Sequence, residues 1–381
     1  MDIDSERTRD FFARVCAEFP CVGRPVSIIV THLLPDRPFF IEALARQTDI
    51  GLILAKPKSI HHATKKLLSA RFPTEIARGR FVDGPSMVRL LARRCGGRPA
   101  ILLDIGGYFA DVASFAAANY DGGILAIVED TENGLRRYER QERLSCPVIS
   151  VARSPLKAAE DFLVGQSIVH SVEALLRGQG DILHGRTACV IGYGKLGRSI
   201  ANLLHARHVR TAVFDIDPIR SVEAMSHGFS VADRLESALR GAGLVFCATG
   251  NMSLLRADFA SLDDGAYIAT VTSSDDELAL DLIDGDYVQE RVADHITRFR
   301  KDGRHFYLLN HGQAVNFIHG AAVGPFIYLV QAEILVSAAR SSAAPLATGL
   351  SENDAPLRRR IAEAWLDCFG PRAARGPHDQ N

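Results

Sequence analysis

The run Gly192-Tyr193-Gly194-Lys195-Leu196-Gly197 has glycines at the spacing that cradles a dinucleotide pyrophosphate. Gly192 allows a tight turn, Gly194 lets the backbone approach phosphate, and Gly197 lets a helix lie close on the preceding strand. Glycine is common, so the setting carries the weight. Thr187 to Ile191 before the run reads as a strand. Leu196, Ile200, Leu203 and Leu204 recur at helical intervals after it, so the loop opens a helix whose N-terminus attracts anions. Asp215 ends the next apolar run, Thr211 to Phe214, where a carboxylate accepts hydrogen bonds from ribose hydroxyls and repels a 2′-phosphate. The implied cofactor is NAD, held by Gly192, Gly194, Lys195, Leu196, Gly197 and Asp215. Thr249, Gly250 and Asn251 follow the run Leu244 to Cys247, and Thr272 follows Tyr267 to Val271. Both loops are candidate walls of the same site, since ligands of open α/β sheets lie beyond the carboxyl ends of strands. Read singly, each of these loop residues is equally a surface turn. Lys157 and Asp161 stand four apart in a stretch with helical spacing, which puts them on one helix face. On residues alone, that pair reads as a surface ion pair ahead of a site.

The elements that must position these groups alternate. Val26 to Val30, Ile50 to Ala55, Ala100 to Asp104, Gly123 to Val128 and Val148 to Val151 are short apolar runs bounded by turn residues. Between them lie helical patterns such as Pro38 to Arg46 and Pro85 to Arg94. Continuous apolar strands alternating with helices imply parallel sheets covered on both faces. Ser154 to Arg177 reads as one long helix capped by Ser154, and Gly178-Gln179-Gly180 reads as a hinge. A second β-α series begins at Thr187 and includes Phe306 to Leu309. The last third reads as mostly helical, with Ser341 to Pro345 as a linker, a helix over Asp354 to Phe369, and a frayed tail after Gly370.

Val190 to Pro218 resembles the NAD-binding segment of S-adenosyl-L-homocysteine hydrolase. Further motifs resemble that family in order along the chain: Thr31-His32-Leu33, Asp104-Ile105-Gly106-Gly107, Glu129-Asp130-Thr131, Pro147 to Gly165, Ala248 to Asn251 and Val315-Asn316-Phe317. The resemblance implies an α/β fold of two doubly wound domains, with an NAD-binding Rossmann domain inserted into a split α/β substrate domain. The expected division is 1–178 for the first part of the substrate domain and 179–312 for the Rossmann domain. A helical return over 313–345 and a C-terminal helix and tail over 346–381 complete it. The family chemistry oxidises a ribose hydroxyl transiently, which acidifies the neighbouring C–H, so that a thiol is eliminated and water adds. By resemblance, Lys157 and Asp161 hold the ribose hydroxyls, His32 is the active-site histidine, Asp130 stands for a substrate-binding glutamate, and Asn316 contacts NAD.

The departures fall on the chemistry. Ile105 replaces the second, catalytic aspartate of the family's Asp-Asp-Gly-Gly. Phe162 replaces an asparagine, Gln166 a cysteine, and Glu132 and Asn133 two threonines. Thr272-Ser273-Ser274-Asp275 replaces a Gly-His-Phe-Asp segment, and Val323-Gly324-Pro325-Phe326 shortens a gate. The family's C-terminal Lys-x-x-x-Tyr segment has no counterpart. Three functions stay open: an adenosylhomocysteinase-like enzyme on S-adenosylhomocysteine or a related nucleoside, an NAD-dependent dehydrogenase of another metabolite, or a non-catalytic NAD-binding homologue.

Composition sets the frame. The chain has 381 residues, enough for about two domains. Lys plus Arg is 44 against 45 Asp plus Glu, which argues against nucleic acid or an anionic membrane as the partner. A small nucleoside-like substrate and a homo-oligomer are expected instead. The seven cysteines are scattered without a C-x-x-C pair, so neither a disulfide framework nor a metal site is expected, and a cytoplasmic location is. The most apolar stretch, Ala321 to Ala339, is interrupted by Gln331 and Glu333 and reads as a buried helix.

Overall fold

The structure is a computed structural model that describes residues 3–272 and 277–371. It divides into two units, residues up to Lys157 together with those from Gly324 onward, and Ala158–Val323.

The first unit is built on strands β1 (Val26–Leu33), β2 (Asp49–Ile60), β3 (Thr74–Ile76), β4 (Ala100–Asp104), β5 (Ile124–Glu129) and β6 (Pro147–Ser150). Successive side chains of a strand point to opposite faces. Ile29, Leu33, Ile53, Ile101 and Leu103 therefore enter one core, with Phe11, Phe12, Ile41 and Leu44. Ile28, Val30, Leu52, Leu54 and Leu102 enter a second core, with Met87, Leu91, Phe109 and Tyr138. Burial on both faces explains why these strands are continuous apolar runs. The helices have clear ends: Gly84–Cys95 starts at Asp83, whose carboxylate accepts from the Ser86 N–H, and stops at left-handed Gly96.

The second unit carries β7 (Thr187–Ile191), β8 (Arg210–Phe214), β9 (Ser230–Val231), β10 (Leu244–Cys247), β11 (Ala266–Thr270), β12 (Val288–Ala293), β13 (Ile296–Lys301) and β14 (Arg304–Leu309). Their order is β12-β13-β14-β11-β10-β7-β8-β9. All neighbours are parallel except the β12-β13-β14 meander. The order reverses between β7 and β10, the place where such sheets bind ligands.

The chain then returns to the first unit with helix Ile327–Ala343, strand β15 (Gly349–Ser351) and helix Ala355–Phe369. The completed sheet has the order β15-β6-β5-β4-β1-β2-β3, parallel throughout, with its own reversal between β4 and β1. Trp365, Ile361 and Leu357 of the last helix enter the first core, so residues 349–369 are an integral part of this unit. No helix among the described residues is long and apolar enough to cross a membrane.

Four expectations from the sequence need correction. Ser154 opens a 3-10 turn, Pro155–Lys157, and the long helix is Ala158–Gly178. Lys157 and Asp161 therefore do not share one α-helix. That helix belongs to the second unit, as does the 3-10 turn Val315–His319, so the division falls at 157/158 and 323/324. Close packing is the reason. A Cβ on Gly165 would lie 2.5 Å from Ser199 Cβ, and His319 Nδ1 is 2.9 Å from Ser171 Oγ. The mostly helical reading missed β12 and β13, whose polar alternation (Glu290 opposite Arg298) belongs to a sheet margin. Ser341, Ser342 and Ala343 are helical and not a linker, because both serine hydroxyls donate back to the Ala338 and Ala339 carbonyls.

Candidate functional site

In the second unit, β7 ends at Gly192, whose φ of 92° is left-handed backbone suited to glycine. Its N–H donates to the Phe214 carbonyl at 2.8 Å. The helix Lys195–Ala206 follows with Gly194 as its N-cap. A Cβ on Gly197 would run into the Gly192 carbonyl oxygen, whereas a Cβ on Gly194 would meet nothing within 4 Å. One glycine is thus required by packing, and the other leaves open space at a helix N-terminus. The Asp215 carboxylate accepts from the Tyr193 N–H at 2.6 Å and the Asp217 N–H at 2.9 Å. It braces the loop while two acceptor positions remain. Lys195 Nζ lies 3.1 Å from Asp161 Oδ2, so Asp161 pairs with the glycine loop's own lysine. Leu196 packs at the margin of the core beside it.

The loops after β10 and β11 meet at a residue that sequence reasoning did not single out. Glu277 is fully buried. It accepts from the Gly250 N–H (2.8 Å), Thr249 Oγ1 (3.1 Å), Thr272 Oγ1 (2.9 Å) and Ser253 Oγ. Burial pushes its carboxyl above the usual range, while the four donors pull it down. The Asn251 carbonyl, 2.6 Å from Thr249 Oγ1, competes with Glu277 for that hydroxyl's single proton. The only signal in the sequence was an acid shortly after a strand-end loop. Ser273, Ser274 and Asp275 lie outside the described residues, as does the tail from residue 372. Asn316 is buried, and its Oδ1 has no hydrogen-bond partner among the described residues.

In the first unit, the carboxyl ends of five adjacent strands gather ionisable groups. His32 is near the end of β1 with Nδ1 against Ser59 Oγ. Burial, then the charges of Lys56, Arg37 and Lys157, hold its imidazole well below its usual range. Asp104 ends β4 and accepts from the Tyr108 N–H (3.0 Å), the Phe109 N–H (3.1 Å) and Tyr138 Oη (2.6 Å). Glu129 ends β5 and accepts from the N–H groups of Gly106 (3.1 Å), Gly107 (2.9 Å) and Thr131 (2.7 Å), and from Thr131 Oγ1 (2.6 Å). Burial raises both carboxyls. Asp130 and Lys157, both buried, form an ion pair at 2.9 Å. His32, Asp130 and Lys157 thus share one sheet edge, with Asp104 and Glu129 bracing the turn between β4 and its following helix.

The residues that depart from the family pattern have local partners. Ile105 is buried at the same edge. Gln166 Nε2 donates to the Ser199 carbonyl (3.3 Å) and hydroxyl (3.2 Å). Glu132 is held by Arg153 and Arg136. Phe162 is about half exposed (53%), with its carbonyl accepting from Ser199 Oγ at 2.6 Å.

Residues 163–323 match the family model described as S-adenosyl-L-homocysteine hydrolase, NAD binding domain. Over that stretch the chain is similar to the family, though diverged from it. The matched stretch nearly coincides with the second unit, which is an NAD-binding domain. An adenosylhomocysteinase of Aeropyrum pernix is 30% identical over 236 residues, 60% of this chain and 56% of that protein. An S-inosyl-L-homocysteine hydrolase of Methanopyrus kandleri is 28% identical over 265 residues, 65% of this chain and 60% of that protein. The likeness reaches into the first unit in an adenosylhomocysteinase of Aquifex aeolicus, 27% identical over 327 residues, 83% of this chain and 76% of that protein. The chain thus spans less than two thirds of the length of the Aeropyrum and Methanopyrus relatives it matches.

Proposed function

We propose that the chain is an NAD-dependent enzyme of the adenosylhomocysteinase type, acting on S-adenosylhomocysteine or a purine-nucleoside thioether close to it. One observation carries the reading: an NAD-binding second unit is joined to a first unit whose sheet edge gathers His32, Asp130 and Lys157. The second unit's residues fit the cofactor. The open space at Gly194 admits a pyrophosphate onto the helix N-terminus. The spare acceptor positions of Asp215 suit ribose hydroxyls. The orphaned Asn316 Oδ1 suits the N–H of a carboxamide. Thr249, Gly250, Asn251 and Thr272 form the loops tied to Glu277. Bound NAD supplies reversible oxidation of a secondary hydroxyl, which acidifies the adjacent C–H.

The first unit's residues handle the protons and the sugar. His32 is held neutral by burial, so its imidazole can accept a hydroxyl proton at neutral pH. Ser59 fixes the ring's orientation through Nδ1. Lys157, fixed by Asp130, is a positioned ammonium donor for a sugar oxygen. Asp161 serves in the second unit through Lys195. Homo-oligomeric assembly and a cytoplasmic location belong to the same reading.

The test incubates the NAD-loaded protein with S-adenosylhomocysteine and with S-inosylhomocysteine and measures free thiol and released nucleoside. Release that is lost in Lys157→Met supports the reading. Steady accumulation of reduced nicotinamide without thiol points to the dehydrogenase alternative, which the apolar Ile105 at the sheet edge favours. Neither product from any nucleoside refutes the enzymatic reading.

A further inference from the structure

We propose that Lys56 is the base that removes the sugar C–H proton in the elimination step, beside Ile105, where the family pattern has a catalytic aspartate. The inference rests on the adenosylhomocysteinase-type reading above. Lys56 directly follows Ala55, the residue of β2 that pairs with Thr31 of β1. Its Nζ donates to the Ile105 carbonyl at 3.1 Å. The same Nζ lies 3.3 Å from where a Cβ on Gly106 would stand, and 5.6 Å from the Tyr108 ring centroid. The ammonium therefore reaches from β2, past β1, to the residue following β4 where the carboxylate is missing, at the edge where the strand order reverses.

The other ionisable groups of this edge are committed. Asp104 and Glu129 have three and four donors on their oxygens. Asp130 and Lys157 hold each other, and His32 is assigned above to the hydroxyl proton. Among the described residues the Lys56 ammonium forms no ion pair, and the one hydrogen bond from its Nζ goes to a neutral carbonyl. Burial favours its uncharged amine. Glu129, Asp104 and Asp130 oppose that, Arg137 supports it, and the result is a lowered pKa. An amine poised to lose its proton is a competent base, whereas a lysine locked to a carboxylate is not.

With the 3′ carbon at the ketone level, the Lys56 lone pair takes the C4′ proton. The C4′–H electron pair becomes the C4′=C5′ π bond as the C5′–S bond breaks. Sulfur leaves with that bonding pair and takes a proton from solvent. Water then adds its oxygen to C5′ and releases a proton, and the Lys56 ammonium returns its proton to C4′.

The test uses the full chain with NAD and adenosine or inosine in deuterated water, reading two signals: nicotinamide reduction by absorbance and C4′ deuteration by NMR. Lys56→Met and Lys56→Arg lower deuteration by about 10²–10⁴-fold, while reduction falls by less than about tenfold. Lys56→Arg keeps a positive charge that cannot be given up, so it controls for folding and electrostatics. In the unaltered protein, deuteration rises with pH through the Lys56 titration. That titration, followed by ¹³C NMR of the Lys56 Cε, falls below the ordinary lysine value of about 10.4. Deuteration within about threefold of normal in both variants overturns the role of Lys56 alone. So does a Lys56 titration at or above the ordinary value. If the unaltered protein reduces no nicotinamide with either nucleoside, the functional reading falls and the Lys56 role falls with it.

Discussion

Glu277 offers the sharpest test of how the cofactor loops are held. In Glu277→Ala, the buried Gly250 N–H loses its 2.8 Å acceptor. The Thr249 and Ser253 hydroxyls can turn to the Asn251 carbonyl, 2.6 and 3.4 Å away, but the amide cannot turn. One orphaned buried amide costs about 1–3 kcal/mol. The one lost buried methylene, Cγ, adds about 0.8 kcal/mol. The variant should lose about 2–4 kcal/mol of stability, and NAD should bind at least about tenfold more weakly because the Thr249-Gly250 turn is no longer tied down. Glu277→Gln keeps the shape. Its Oε1 can serve Gly250 and Thr272, and its Nε2 can donate to hydroxyls that reverse to accept, so the cost at neutral pH is about 1 kcal/mol or less. The two variants also separate by pH. Burial raises the folded-state pKa of Glu277, so its contribution is full below the unfolded value of about 4.3 and is lost as pH rises through the folded value. Glutamine removes that dependence. Its stability relative to the unaltered protein should therefore improve as pH rises above about 4.3, with a slope no steeper than about 1.4 kcal/mol per pH unit. Urea unfolding at several pH values, with NAD titration calorimetry at pH 7.5, reads both effects. Equal losses for Ala and Gln, or unaltered NAD affinity in Glu277→Ala, would refute the clamp.

Gly197→Ala pushes the helix start away from the Gly192 carbonyl, so calorimetry should show NAD affinity falling by about a hundredfold or more with the first unit's unfolding unchanged. Lys157→Met leaves the buried Asp130 carboxylate unpaired, at a cost of about 3–5 kcal/mol in urea unfolding, and adding Asp130→Asn should recover more than half of it. The His32 ring should titrate below about 6.5 by NMR. Its contribution to stability is then full above that value and lost as pH falls toward the folded value, and His32→Gln should flatten this dependence.

What was legible in the sequence was what a local pattern can carry. Apolar runs bounded by turn residues located β4, β7 and β10 to the residue, because buried parallel strands leave little choice of side chain. The glycine loop was legible because each glycine answers to a backbone constraint, as Gly192 and Gly197 show. Polar marginal strands were not legible, since β12 is mostly exposed and β13 buries only Ile296 and Phe299, three apart and off the period-two alternation of a strand. Nor was the start of the long helix. Ser154 does cap a turn, accepting from the Leu156 N–H at 3.1 Å, but the turn is 3-10, and Lys157 is drawn to Asp130, 27 positions earlier in the chain. Asp161, four residues later, is paired with Lys195. The spacing suggested a partnership that tertiary contacts redistribute. Lys56 and Glu277 escaped notice for the same reason: their meaning depends on groups 49 and 27 residues distant, respectively.

The two sheets solve one problem the same way, and this bears on how perturbed acids should be read. At the strand-order reversal of the first sheet, buried Glu129 accepts the Gly106 and Gly107 N–H groups and the Thr131 hydroxyl. At that of the second, buried Glu277 accepts the Gly250 N–H and the Thr249 and Thr272 hydroxyls. Each glutamate is raised by burial, and each has its oxygens filled by donors from a glycine-bearing turn. A raised carboxyl in a cleft is often read as a general acid. Here the donor count argues otherwise, because an acceptor whose oxygens are filled by backbone amides and hydroxyls cannot move a proton without leaving at least one buried amide orphaned. Both glutamates are braces that let a glycine turn hold its shape without side chains of its own. The groups left to do chemistry stand beside the braces: Lys56, whose Nζ meets only a neutral carbonyl, at the first edge, and Asn316, whose Oδ1 has no partner among the described residues, in the second unit.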